Sequence, residues 1–432
     1  MRMKQLFLLT AGLAGTVVMC SAIGLSTVQA AQAPPFNLRV QPLVSPALES
    51  GSSLPQMSVS SRGVLLSWVE RTGAKATLKF AERTPSGWSP VQTVATGDNW
   101  FINWADVPSV VRLADGTLAA HWLQKSGAGT YAYDVMLSYS ADGGRTWATP
   151  FSPHNDGTKT EHGFASLFAM PGGGLGLVWL DGRAMAKPAV GGAAMAGMDH
   201  DGGDMSVRFA SFDEQWTQTA DALIDARVCE CCPTTATVTS DGVLTAFRNR
   251  SDDETRDIFV ARLDKGKWTE PKAAHADEWR IDACPVNGPA LSSRGRDVVI
   301  AWFTGKGNQN HAFAAFSKDA GRTFGAPIAL DDAKTLGRVD VEMLADGSAI
   351  ATWIESASSG AQLRARRVEA SGRRSVPVTI TEMSASRSSG YPRMALSGQE
   401  LVFAWTEVAP GSPAGSGSTM RVRTAAASVP QR

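Results

Sequence analysis

The chain has 432 residues, 43% hydrophobic and 19% charged, with 41 basic and 41 acidic side chains that cancel to a formal net charge of zero. That length permits a large core and, by length alone, roughly two or three domains, while zero net charge leaves no electrostatic footprint for nucleic acid. Glycine is frequent and no long polar low-complexity run occurs, which excludes a disordered chain.

The first element in chain order is an export signal. Arg2 and Lys4 precede an apolar stretch over residues 6–18, and Val28-Gln29-Ala30 or Ala31-Gln32-Ala33 supplies a small-residue cleavage site. Residues 1–33 are therefore expected to be removed, leaving residues 34–432 as one domain in the periplasm or outside the cell. Cys20 raises the alternative of a lipoprotein, but Met19 stands where a small residue is needed. No other apolar run is long enough to span a bilayer. A monomer without a membrane span or a nucleic-acid partner is expected. Export bears on the cysteines, because thiols in an oxidising compartment often form disulfides.

Past residue 50 one pattern recurs: a short apolar strand, a turn, and a second strand that closes on an aromatic residue. The closing residues are Trp68, Trp122, Trp179, Phe247, Trp302, Trp353 and Trp405. They stand 51–57 residues apart, except for 68 between Trp179 and Phe247. A further alternating strand then leads to Trp88, Trp147, Trp216, Trp268 or Phe324. Four short strands in a period of roughly 50 residues are the signature of propeller blades, which bury their faces only by stacking around an axis. The spacing predicts an all-β, seven-bladed propeller, with six blades as the alternative count. The last unit lacks an outer strand, and residues 36–44 would supply it and close the ring.

Two turns, Ser140-Ala-Asp142-Gly-Gly144-Arg-Thr146-Trp147 and Ser317-Lys-Asp319-Ala-Gly321-Arg-Thr323-Phe324, match the Asp-box pattern. Asp can bond the turn backbone, Gly permits positive φ, and the aromatic plugs the gap between sheets. On these boxes and the repeat, nearly the whole mature chain resembles the sialidase (BNR/Asp-box) propeller superfamily. That resemblance implies a ligand face built from the lead-ins to the innermost strands and from the loops after the second strands. It sorts onto this face Trp100, Asn103, Trp104 and Asp106; Glu161 and His162; Cys229, Cys231 and Cys232; Asp282, Cys284 and Asn287; Arg338 and Asp340; and Tyr391 and Arg393. The loops add Asp181, Arg183, Arg248, Arg250 and Lys306. Trp100 and Trp104 would serve there as a stacking platform or, equally, as blade packing. Arg248, Arg250, Asp252, Asp253 and Glu254 form a mixed charge run of the kind that usually covers a solvated loop.

Three of the five cysteines fall within Val228-Cys229-Glu230-Cys231-Cys232-Pro233, and Cys284 precedes Pro285 one repeat later. The long gap contains an insertion at 184–206 carrying Met185, Met195, Met198, His200 and Met205. Thiolate, thioether and imidazole are soft-metal ligands, and copper(I) takes thiolate with thioether where zinc seldom takes Met. A copper site drawn from Cys229, Cys231, Cys232, Cys284, Met195, Met198, His200 and Met205 is the leading expectation. Two disulfides and an incidental small-residue loop are the plainer alternatives.

The resemblance also implies a glycan alternative, hydrolase or lectin-like. The family's enzymes clamp a carboxylate with three arginines, one in a first-blade Arg-Ile-Pro, and use a Tyr activated by Glu with an Asp as acid/base. Here the first blade opens with Leu54-Pro55-Gln56-Met57, and Arg280-Ile281-Asp282 falls in another blade without the proline. Asp106, Asp181, Tyr391 and Arg393 are what remains of such a site. A metal ion or a small carbohydrate is thus the expected partner.

Overall fold

The computed structural model describes residues 38–46, 48–186, 203–332, 334–409 and 420–429. Among them are seven antiparallel sheets and no α-helix. The innermost strands are Ser52–Ser60, Ser109–Arg112, His162–Ala169, Thr235–Thr239, Ala290–Arg294, Thr335–Met343 and Arg393–Ser397. Each touches its neighbours on both sides, and the seventh meets the first, so the blades form a closed ring. The chain is a seven-bladed β-propeller. The expected export signal, residues 1–33, lies outside the described residues.

The second strand of each blade is the most deeply buried, and its composition explains why. Val64, Leu65, Leu66, Trp68 and Val69 of Gly63–Thr72 are at most 1% exposed, as are Leu175, Leu177, Val178, Trp179 and Leu180 of Leu175–Asp181. Both faces of such a strand are covered by adjacent blades, so it reads as a continuous apolar run. A buried indole N–H needs an acceptor. Trp68 finds Glu70 at 2.9 Å, Trp179 finds Asp181 at 3.0 Å and Trp353 finds Glu355 at 3.1 Å. A carboxylate two residues after the closing aromatic is part of the blade's core.

The two Ser-x-Asp-x-Gly-x-Thr turns share one hydrogen-bond pattern. Asp142 accepts from Ser140, the Thr146 amide and the Thr146 hydroxyl, and Asp319 does the same with Ser317 and Thr323. Gly144 holds φ 93°, and a Cβ there would sit 2.5 Å from Phe80 Cζ in the preceding blade. Trp147 meets that Phe80 ring edge-on at 6.2 Å.

Three inner strands carry a residue at positive φ near their start, Leu54, Phe164 and Arg338, and Val286 does so in the lead-in to a fourth. This conformation is costly for bulky side chains and persists only where the surroundings enforce it. Here a polar side chain of one blade captures an amide of the next. Asp106 accepts from the Phe164 amide at 2.8 Å, Asn287 from Arg338 at 2.7 Å and Asp340 from Met394 at 2.8 Å. The Thr406 hydroxyl accepts from the Leu54 amide at 3.3 Å, which joins the seventh blade to the first. Gln41–Pro42 pairs with Ala426 and Ala425 as the outer strand of the seventh blade.

Candidate metal centre

The cysteine segment is pinned at both ends before its side chains are considered. The Val228 amide donates to Met205 O at 2.9 Å, and the Cys229 amide to Arg248 O at 2.9 Å. The insertion leaves and returns between Leu175–Asp181 and Ser206–Phe212, where Gly203 donates to Ala184 O at 3.0 Å. Its returning end is therefore bonded to the residue before Cys229. On the other side Gly288 of the fifth blade lies so close that a Cβ would approach Pro233 O to 2.2 Å. This close approach brings the lead-in carrying Cys284 alongside the cluster.

The sulfurs converge. Cys229 Sγ lies 3.7 Å from Cys231 Sγ and 3.4 Å from Cys232 Sγ, and the Cys284 thiol is near enough to Cys231 to influence its ionisation. All four are free thiols; Cys229 and Cys232 are buried, Cys231 is half-buried and Cys284 exposed. Arg256 Nη1 donates to Cys229 Sγ at 3.3 Å. Burial alone would raise the Cys229 thiol, but bonds from Cys231 and Cys232 and the Arg256 charge outweigh it and hold the thiol well below its ordinary value. Cys231 and Cys232 move up: for Cys231 its sulfur neighbours are the main cause, for Cys232 burial. Cys229 is thus the sulfur whose ionised form is most favoured, with Cys231 and Cys232 placed to donate to it.

The cation that favours this thiolate belongs to a larger network. Glu230, between the cysteines, pairs with Arg250 and with Arg256 at 3.1 Å, and Glu254 pairs with the same two arginines at 2.6 and 2.7 Å. Arg248 is 1% exposed and donates to the carbonyls of Asn287, Arg256 and Phe303. Its guanidinium lies 5.0 Å from the Trp279 ring centroid. The expectation of a solvated loop is therefore corrected for Arg248 and Arg250. Only the Asp252 end is exposed, because the arginines reach buried carbonyls and Glu230 that lie outside their own stretch.

The other residues read from the sequence divide. Met205 is fully buried among Phe209, Val228 and Phe247, so its thioether is held in the core; Met185 packs against the same cluster. Met195, Met198 and His200 lie outside the described residues. Trp100 is 8% exposed and stacks on Trp122 at 5.5 Å, which is blade packing. Trp104 stacks on Tyr391 at 6.1 Å with Arg338 4.7 Å from its ring. Tyr391 donates to Val286 O at 2.7 Å and accepts from the Gly288 amide, and burial raises its phenol. Arg393 lies 5.4 Å from the Tyr391 ring. Asp181 is occupied by Trp179 and by a two-pronged bond from Arg183 at 2.7 Å. Asp340, Glu342, Tyr391 and Arg393 also line an axial cavity of about 200 Å³.

Tyr133 was not singled out in the sequence. Its hydroxyl donates to Glu161 Oε1 at 2.7 Å and lies 3.1 Å from Asp106 Oδ2. Burial, with Asp106, Cys284 and Glu230 nearby, pushes Glu161 up to about 8 against the Tyr133 bond. Burial likewise takes Asp106 to about 7 despite its bonds from Phe164 and Tyr133. The Tyr133 ring is fully buried and stacks on Phe101 at 3.9 Å.

No family model matches the chain, and no curated protein matches it. Among solved structures it is similar to a protein of unknown function from Dyadobacter fermentans, at 14% identity and a TM-score of 0.51, covering 91% of this chain and 99% of that one. It is also similar to the NanB sialidase of Streptococcus pneumoniae in its K499G mutant form, at 10% identity and 0.45, covering 91% and 94%. A Hadza microbial sialidase, Hz136, aligns at 12% identity and 0.47, over 84% of this chain and 76% of that one. At these identities the likeness is one of fold.

Proposed function

We propose that the protein is an exported propeller that binds a soft metal ion, copper(I) foremost, through Cys229, Cys231 and Cys232 with Cys284 beside them. The observation that carries this reading is the convergence of three sulfurs within 4.8 Å of one another. Thiolates about 2.3 Å from a metal in a trigonal arrangement lie about 4 Å apart, so modest movements from the present 3.4 and 3.7 Å suffice. Soft thiolate ligands favour copper(I), and a thiol whose ionised form Arg256 favours lowers the proton cost of binding. Met195, Met198 and His200 are proposed as further ligands, on a segment whose returning end bonds Val228. Export rests on the N-terminal leader read in the sequence. Oxidation of the thiols would release the ion, since the thiolate is the ligand. The test is titration of reduced protein with copper(I) against a competing chelator. Wild type should bind at least about a hundredfold tighter than Cys231→Ser/Cys232→Ser, and equal, weak binding in both would end the reading.

A glycan-active site is the second reading, favoured by the Tyr133–Glu161 bond with Asp106 beside it. Against it, the Tyr133 hydroxyl is enclosed and Arg338 is spent on the carbonyls of Ser386 and Gly390. With Leu54-Pro55-Gln56-Met57 and no arginine at the start of the first blade's inner strand, there is no charge-assisted grip on a substrate carboxylate at that position. Hydrolysis of a fluorogenic α-sialoside should stay at background; turnover that vanishes in Tyr133→Phe or Tyr391→Phe would reverse the ranking.

A further inference from the structure

Two groups of chemistry-bearing side chains lie near one another. Tyr133 and Glu161 pair, and successive side chains of an extended chain alternate, so Asp134 and His162 meet on the other side. His154 joins them from the connection between the second and third blades. The imidazoles of His154 and His162 stack at 3.9 Å and 12°, so their nitrogens do not converge on one ion. Asp134, Asp156 and Asp181 lie 3.5, 3.2 and 3.8 Å from His162 instead, which makes this group a brace between blades.

The cysteines carry more. Their accessibility is graded: Cys284 is exposed, Cys231 half-buried, and Cys229 and Cys232 at most 1% exposed. Asp282, Ala283 and Cys284 are three exposed residues on an irregular lead-in, between Ile281, whose amide bonds Glu254 O, and the buried Asn287. Cys284 stands outside the trio of sulfurs that lie within 4.8 Å of one another, beside Cys231. From solvent inward the order is Cys284, Cys231, Cys229, Cys232, and the last two steps measure 3.7 and 3.4 Å. Arg256 Nη1 lies 3.3 Å from Cys229 Sγ, near the inner end of the series.

Thiol–disulfide exchange is the attack of a thiolate on one sulfur of a disulfide, and it is limited by access. Only Cys284 is open to a disulfide in solution. Adjacent residues are about 3.8 Å apart at Cα, short of the roughly 4.4 Å that disulfides span, so Cys231 and Cys232 are poor partners for each other. Cys231 with Cys284, and Cys229 with Cys232, are the pairings left by this order.

We propose that the four cysteines form a relay for thiol–disulfide exchange with small disulfides of the glutathione class, entered at Cys284 and ending in a Cys229–Cys232 bond. Cys284 attacks one sulfur of the small disulfide, whose S–S bond breaks and expels one thiolate with the electron pair. Cys231 attacks the Cys284 sulfur and expels the second thiolate, leaving a Cys231–Cys284 bond. Cys229 then attacks Cys231 and frees Cys284, and Cys232 attacks Cys229 and frees Cys231. Each attacking thiol gives its proton, through solvent, to the thiolate released. One small disulfide is thereby reduced to two thiols while Cys229 and Cys232 are oxidised, and a second molecule oxidises Cys231 with Cys284. The small disulfide is the oxidant, so the relay uses the sulfurs of the copper(I) reading without resting on it.

The test is anaerobic incubation of reduced, metal-free mature protein with glutathione disulfide and a chelator, read by intact mass and peptide mapping. Two equivalents should be consumed, leaving Cys229–Cys232 and Cys231–Cys284 bonds and no adduct. Cys231→Ser should stop at a stable glutathione adduct on Cys284. Cys284→Ser, at an exposed position, should react at least about a hundredfold more slowly. Circular dichroism should show both variants folded, and the wild-type map tests the pairing without either. Oxidation of Cys284→Ser at the wild-type rate would overturn the entry point. A Cys229–Cys231 bond in the final wild-type map, or no adduct in Cys231→Ser, would overturn the relay. Reaction with oxidised insulin but not with glutathione disulfide would overturn the substrate class. Because metal is excluded, exchange can fail while copper(I) binding stands, and the reverse.

Discussion

The cysteine cluster and the histidine–aspartate cluster are built on opposite principles. Around the cysteines the hydrogen-bonding capacity is filled: Arg256 meets Cys229 and Glu230, and Arg248 serves three buried carbonyls. Around His162 the buried nitrogens go without partners although three carboxylates lie within 4 Å. In the first cluster Arg256 and the neighbouring thiols favour the ionised form of Cys229. In the second, burial opposes a charged His162, but Asp134, Asp181 and Asp156 outweigh it and raise the imidazole above its ordinary value.

Removing the arginine scaffold should separate the two most sharply. Arg248→Met strands three buried carbonyls and should cost about 3 kcal/mol or more in chemical denaturation. It should also weaken copper(I) binding; affinity unchanged in the destabilised variant would show that the cysteines do not depend on this scaffold. The wall between them gives the next effect. Asp106 rises from 3.8 to about 7 and Glu161 from 4.5 to about 8, so the folded state holds protons that the unfolded state has released. Their contribution to stability is full below about 4 and is lost as pH climbs through about 7 to 8. The melting temperature should fall over that window, and Asp106→Asn, which keeps an acceptor for Phe164, should flatten the fall. An unchanged slope would assign the protons elsewhere.

Thiol reactivity sharpens the cysteine side further. Arg256→Gln removes the cation beside Cys229 and should shift the pH midpoint of its alkylation upward by about one unit. No shift would mean that the sulfur neighbours alone support the thiolate. The smallest effect belongs to Cys284→Ser, which should change copper(I) affinity by about tenfold or less because that thiol is exposed and touches only Cys231 among the sulfurs.

The same contrast explains what the sequence revealed. The propeller was legible because its signal is periodic: closing aromatics recur with each blade, and the two Asp-turns mark equivalent corners. The cysteines were legible because three fall within four positions. The histidine cluster was not, since its side chains come from three separate elements and only His162 had been noticed. A signal was present, as two of the chain's six histidines, His154 and His162, flank Asp156. The arginines near Cys229 were misread because a charge run does not reveal which carbonyls fold over it. Asp106 and Asp181, read as possible catalytic groups, hold a neighbouring blade's amide and an indole.

The clasp at Gln41–Pro42 bears on how the ring comes apart. The first and last blades are joined by the Gly51–Met420, Leu54–Thr406 and Ser52–Val422 bonds, the two-pronged Arg83–Glu400 ion pair, and packing that includes Trp68 against Ala404 and Val422 and Val64 against Ala395 and Val402. The covalent chain crosses this seam through residues 43–51, and the short Gln41–Pro42 pairing must be released for it to open. Opening at this seam requires no backbone to be stretched elsewhere, so it is the natural first step of unfolding. In native-state hydrogen exchange the amides of residues 420–428 should lose protection before those of the central strands in blades three to five. The cysteine cluster, placed at the far side of the ring in chain order, would remain assembled in the opened molecule.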